Sequence, residues 1–200
     1  IDLGSLGAEP GTALGVDAVG VDAMGARTIS ARRIIRVVSE DEILERLRER
    51  LAGTGEALRR IDGAQRERRA ALDDGSDPDP ASQDAITALI ESERRAVGAI
   101  ADELTRNRIG DSDLSRLAGE IGAALGRGRD ASEDATDALG RGDERRAGER
   151  MDRVRDEIGR AAALLDRGED TWLARRGIEA LRADIERLAR DTDDFGQRHA

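Results

Sequence analysis

The side chains that could do chemistry are few in kind in this 200-residue chain, and their spacing does not favour it. There is one histidine, His199, and no cysteine. Without cysteine there is no thiolate nucleophile, thiolate metal site or disulfide. All 33 basic residues are arginine. A Walker-type phosphate loop needs its lysine and is therefore excluded. The glycines of "GSLGAEPGTALG" fall at 4, 7, 11 and 15, which is not the dinucleotide-binding spacing. His199 stands apart from any serine and acid that could complete a hydrolytic triad. It reads as a solvated residue.

Carboxylates are abundant, so some pair can always be nominated for acid–base work. A working pair needs surroundings that push its two pKa values apart. Glu93 falls on the apolar seam of a predicted helix and is the best candidate for a buried acid. The competing reading pairs it with an arginine across the bundle. "DDGSDPDP" (73–80) invites a calcium-loop reading, but Pro78 sits near the required glycine and no glutamate closes a twelve-residue loop. It reads as a solvated turn. Other charges fit exposed helix pairs, such as Glu42 with Arg46 and Glu186 with Arg190. No residue is nominated as catalytic, cofactor-binding or metal-ligating. Neither an enzyme activity, a cofactor nor a small-molecule substrate is expected.

Composition narrows the object further. Charged residues make up 38% and aromatics 1%, with Trp172 and Phe195 the two rings. Large rings usually carry much of a compact core's buried area. Here Leu, Ile, Val and Ala must do so, the composition of long helices and coiled coils. The net charge is −10 and the arginines are interleaved with acids, as in "ERLRER". That pattern lacks the electrostatic footprint of a nucleic-acid binder, and reads as coding bias toward arginine rather than phosphate recognition. No run approaches the roughly 18 apolar residues of a membrane span, so no direct membrane insertion is expected.

Two strands are predicted at about 16–24 and 28–38, separated by a turn near Gly25, after a glycine-rich loop over 1–15 that can hold one short strand. Two strands alone are marginal, so they are expected to be the hairpin remnant of an upstream β-domain. At Ser39 the character changes. "SEDE" is a capping box, in which Ser39 accepts from the Glu42 amide and three acids sit at the positive end of the helix.

The first helix is predicted over 40–73. Leu44, Leu47, Leu51, Thr54, Leu58, Ile61, Gln65, Arg68 and Leu72 step by three and four along one seam. Its polar far half is expected to pack less tightly. A second helix (81–108) places Ile86, Ile90, Glu93, Val97, Ile100, Leu104 and Asn107 on one row. A third (112–139), capped by Asp111 or Ser112, shows Leu114, Leu117, Ile121 and Ala124, then weakens at Gly126 and Gly128. A fourth (143–166) carries Ala147, Met151, Val154, Ile158, Ala161 and Leu165. "DRGED" reads as a break, after which a fifth helix carries Ala174, Ile178, Leu181, Ile185, Leu188 and Phe195. Leu47 and Leu181 are expected to be buried alike. Trp172 is expected to fold over the fourth helix near Leu164 or Leu165, the rival reading being an exposed anchor for a partner.

The fold class that follows is mainly α. An elongated antiparallel bundle or coiled-coil rod of about five helices (39–200) follows a β-hairpin remnant (1–38). Where the hairpin meets "RRIIRVVSEDEILERLRERL", the chain resembles large bacterial cell-envelope proteins in which an immunoglobulin-like segment leads into long coiled-coil helices. "RNRIGDSDL" and "LLDRGEDTWLARRGIEALRADIERLARDT" are similar to the turns and helix starts of that region. The resemblance implies a membrane-anchored protein of unknown function in the cell envelope or periplasm, with no catalytic residues to carry over. Beginning at Ile1, the sequence reads as an excerpt, with any anchor outside it. The expected role is a structural spacer or interaction scaffold, with protein partners or self-association through helical seams. A receptor-like signalling bundle and a lipid-binding amphipathic array are the alternatives.

Overall fold

The computed structural model describes residues 7–76 and 79–199, with the side chains of only part of the stretch beyond Trp172. The expectations for Pro78 and for the side chains of Glu186, Leu188, Arg190, Phe195 and His199 lie outside the described residues. The protein is mainly helical. Four strands, β1 (Ala13–Val16), β2 (Val19–Val21), β3 (Arg27–Ile29) and β4 (Arg33–Arg36), precede α1 (Glu40–Asp73), α2 (Pro80–Arg106), α3 (Ser112–Gly140) and α4 (Glu144–His199). Two compact units divide the chain, Ile1–Glu49 and Arg50–Ala200, and α1 crosses the boundary.

In the first unit, β2 pairs antiparallel with β3, and β1 pairs outside them with β4. The first arm starts at Ala13, inside the glycine-rich stretch read as a loop with one short strand, and earlier than the strand predicted from residue 16. Small residues hide it, because Gly15 leaves room for the Arg32 side chain that lies across it. Two residues separate β1 from β2 and three separate β3 from β4, so the second arm is bulged. The Ala18 amide donates to the Ser30 hydroxyl at 2.9 Å there, and Arg32 grips Asp17 at 2.7 Å. Gly25, at φ 84°, closes the turn, with the Met24 and Ala26 amides donating to Asp22 Oδ1. At the start of α1 the Glu42 amide donates to Ser39 Oγ at 3.1 Å. The Glu42 carboxylate lies 3.8 Å from Arg36 rather than beside Arg46.

In the second unit, short turns bring successive helices back antiparallel. Each turn is written in backbone hydrogen bonds. Ser76 N–H donates to the Ala71 carbonyl and Gly75 to Leu72, with Gly75 at φ 69°. Asp143 and Gly142 repeat the pattern onto Ala138 and Leu139, and Ile109 and Arg108 onto Leu104 and Thr105. All three are Schellman caps. Asp79 then caps α2, Asp111 caps α3, and the Asp143 carboxylate accepts from the Arg146 amide.

The pairings define an up–down–up–down bundle. Gln65 meets Gln83 near one end of the α1–α2 pair, and Arg50 meets Glu103 near the other. Leu117 packs at Gly168 while Arg150 reaches Asp134. The ring closes through Asp62 with Arg155 and Arg69 with Asp152, between α1 and α4. Buried Leu58, Ile61, Ile90, Val97, Ile100, Leu114, Ile121, Met151, Val154 and Ile158 fill the centre. The predicted rows on the first four helices are thus the buried ones, apart from partly exposed Leu44, Arg68 and Glu93 and the exposed Asn107.

Three expectations need correction. The third helix does not weaken at "LGRGRD". Its row continues through Gly128, Ala131, Ala135 and Ala138, all buried. Small side chains there let α3 approach both α2 and α4 closely. The polar half of the α1 seam does not loosen either, because Gln65 is fully buried and hydrogen-bonded. There are four helices rather than about five, because α4 runs unbroken for 56 residues through "DRGED". One helical glycine costs only about 1 kcal/mol relative to alanine, and Gly168 has a packing reason. A Cβ there would come within 2.3 Å of Leu117 Cδ2.

Candidate interaction surface

The carboxylates come first, since they were the residues best able to do chemistry. Glu93 is only partly buried on α2. Desolvation raises its pKa above the usual glutamate value, and the charge of Arg60 across on α1 pulls the other way. No second acid is poised beside it to complete an acid–base pair among the ion pairs and hydrogen bonds described. Among the described residues the most buried acid is Glu157, which nothing in its sequence spacing singles out. It sits beside the α4 row, 4% exposed, and accepts from Arg127 Nε of α3 at 3.0 Å. Arg160 approaches it at 3.4 Å. Its carboxylate is engaged by Arg127 across from α3 and by Arg160 one turn along α4. Within the 73–80 turn, Asp79 is occupied as a helix cap and its carbonyl accepts from Arg68 at 2.7 Å. Among the described residues, no group of three or more His, Cys, Asp or Glu could hold a metal ion.

A groove of about 230 Å³ lies between α3 and α4, lined by Arg116, Leu117, Glu120, Leu164, Arg167 and Trp172. Its cations are already engaged. Arg116 pairs with Glu120 at 3.0 Å, and Arg167 Nε donates to the Ala163 carbonyl at 3.1 Å. Trp172 is 9% exposed and lines the groove with Leu117 and Leu164, but it lies two turns along the same unbroken helix from Leu164 rather than folded back over a separate fourth helix. The groove is therefore a packing seat for the indole.

A polar layer crosses the bundle interior, and single-residue reading could not see it. Gln83 Nε2 donates to Gln65 Oε1 at 2.9 Å and to Ser132 Oγ at 2.7 Å. The Thr87 hydroxyl lies 2.8 Å from that of Ser132. Three helices are keyed together by side chains that would each be costly to bury alone.

The surface that remains unexplained is on α4. Along its inner half, Ala147, Met151, Val154, Ile158, Ala161, Leu165, Gly168 and Trp172 step by three and four, all buried. Continuing that row lands on Arg175, Glu179, Arg182 and Glu186, so the apolar row ends at Trp172. A second apolar row begins one residue off this line, at Ala174, Ile178, Leu181 and Ile185. One residue of helix is a rotation of about 100°. The outer row therefore faces elsewhere than the bundle interior. Every described side chain from Ala174 to Arg187 is exposed, with Ile178, Leu181 and Ile185 between 58% and 66%. This overturns the expectation that Leu181 is buried like Leu47, which is fully covered. Among the described residues, no helix is long and apolar enough to cross a membrane. No protein-family model, curated protein or solved structure matches this chain.

Proposed function

We propose that this chain is a non-catalytic structural scaffold, in which a small helical bundle holds one long helix and presents that helix's outer seam to another helix. The single observation that carries the reading is the exposed row Ile178, Leu181 and Ile185 on an unbroken helix. Three large aliphatic side chains in one line are a poor solvent face and a good helix-docking face. The scaffold or spacer belongs to a larger, envelope-associated protein. Supporting this, the two-stranded arm leaves Val19, Val21, Ile29 and Ile34 exposed, as expected of strands whose sheet has further members. A photoreactive amino acid at position 181, introduced into the protein in its host, tests the scaffold. Defined covalent adducts should form there and not from position 187, off the seam. Adducts from neither position would sink the proposal.

The glutamine layer and the continuity of α4 favour a second reading as a signalling bundle. In it, repacking around Gln65 and Gln83 is carried outward along α4. Hydrogen exchange at residues 174–199 should then respond to the paired Gln65→Leu and Gln83→Leu substitutions. An unchanged exchange pattern removes this reading.

A further inference from the structure

We infer that the buried layer of Gln65, Gln83, Thr87 and Ser132 is a register lock. It fixes the axial level of α1, α2 and α3 against one another, and so holds the bundle in a single arrangement. The inference is independent of what the outer row of α4 meets.

The layer sits where apolar packing says least about register. On α3 its level is flanked by Gly128, Ala131, Ala135 and Ala138, all buried. Side chains this small make no knob that would stop a neighbouring helix from sliding along the axis. The rows on α1 and α2 are repetitive in kind as well. Ile61 lies one turn from Gln65, and Ile86 about one turn from Gln83, both buried. Apolar contact has no direction, so one aliphatic neighbour can serve in place of another.

Hydrogen bonds do have direction. The Gln65 and Gln83 amides donate to each other's carbonyl oxygens, at 3.4 and 2.9 Å. Gln83 Nε2 also donates to Ser132 Oγ at 2.7 Å. The Thr87 hydroxyl donates to the Gln83 backbone carbonyl at 3.1 Å and lies 2.8 Å from Ser132 Oγ, where it can accept the serine proton. Each hydroxyl proton then has an acceptor. Gln65, Gln83 and Ser132 are fully buried, so solvent does not stand ready to replace a lost partner.

A slide of α2 by one turn, about 5.4 Å, shows what the layer forbids. In one direction it sets Gln65 against Ile86, and in the other it sets Gln83 against Ile61. Either shift strands a buried amide, and that penalty falls on the shifted arrangement alone. Buried polar positions choose register in helical assemblies in this way, at some cost in stability. Here the choice extends to a third helix through Ser132. Because α3 packs closely along α4, the level of α3 is also the level against which the long helix is seated.

The test uses the whole chain. Since it has no cysteine, Arg95→Cys and Glu133→Cys, exposed on α2 and α3, accept a pair of spin labels. The distance between the labels, measured by pulsed electron resonance, reports the level of one helix against the other. With the layer intact, a single distance is expected. With Gln65→Leu, Gln83→Leu and Ser132→Ala added, the chain should remain helical and melt cooperatively, while the distance splits or broadens by about 5 Å. Should the triple variant fail to fold, Gln65→Leu with Gln83→Leu alone decides by the same measure. One unchanged distance in a folded variant overturns the inference. Loss of folding in both variants also overturns it, because the layer would then supply stability and not register.

Discussion

The two halves of α4 share a helix, a composition and a heptad rhythm, yet one half is core and the other is surface. From Ala147 to Trp172 the apolar row is covered by α1 and α3, and from Ala174 onward the described side chains are open to solvent. Helix propensity cannot distinguish them, since both halves are rich in Ala, Arg, Glu and Leu. The difference lies in phase. The inner row runs out into Arg175 and Glu179, while a new row starts one residue off it. Periodicity therefore tells which side of a helix is apolar, and a change of phase tells where its neighbour changes.

The largest test of this contrast removes one aliphatic side chain from each half. Ile158→Ala, at a position 1% exposed, should destabilise the bundle by about 3 kcal/mol through lost burial and the cavity it leaves. Leu181→Ala should stay within about 0.5 kcal/mol, measured by denaturant unfolding at low protein concentration. Similar losses at both sites would mean that the halves are packed alike.

A somewhat smaller effect is expected from the polar layer. Gln83→Leu strands the partners at Gln65 and Ser132 and should cost about 2 kcal/mol. Changing Gln65→Leu in the same chain should recover much of that loss, since apolar replacement of both partners removes the unmet demand. No recovery in a double-mutant cycle would show that the pair is not coupled.

The pH dependence separates the regions more gently. Burial raises the Glu93 pKa, so the folded bundle holds that proton more tightly than the unfolded chain. Its contribution to stability is full below the ordinary glutamate pKa and is lost as pH climbs through the raised value. Glu91 acts in the opposite sense. Hydrogen bonding from Arg94 lowers its pKa, so its contribution is present above the ordinary value and is lost as pH falls through the lowered one. Glu93→Gln should flatten the decline of bundle stability just above the normal glutamate range, as read by chemical denaturation across pH. A slope unchanged by the substitution would assign that decline to other groups.

The smallest effect is expected at the border between the halves. Trp172 is the single tryptophan and is 9% exposed, so its emission should be blue-shifted and weakly quenched by iodide. Leu181→Ala should leave that spectrum unchanged, whereas Leu117→Ala, in the same groove, should shift it to the red. A spectrum that follows residue 181 would place the border elsewhere.

Much of the bundle was legible because Leu, Ile, Val and Met at steps of three and four leave a strong trace. The rows on the first and fourth predicted helices, with the caps at Ser39 and Asp111, stand where the spacing put them. The second half of α3 was not legible, since Gly128, Ala131, Ala135 and Ala138 form a seam of side chains too small to register as apolar. Gly168 within "DRGED" looked like punctuation because its reason for being glycine, the Leu117 side chain, is on another helix. The same holds for Gln83 and Glu157, whose partners Gln65, Ser132 and Arg127 are distant in sequence. The outer seam has the same spacing as the core rows although Ile178, Leu181 and Ile185 are exposed, because a pattern cannot say what covers it.

The unbroken course of α4 past Gly168 has a thermodynamic consequence. A face that looks away from the bundle can gain or lose a companion without altering the interior, so recruitment and unfolding are separate equilibria with little linkage between them. The cooperative melt of residues 50–172 should then be the same whether or not that outer face is occupied. The outer face could take up and release a companion many times without the bundle unfolding.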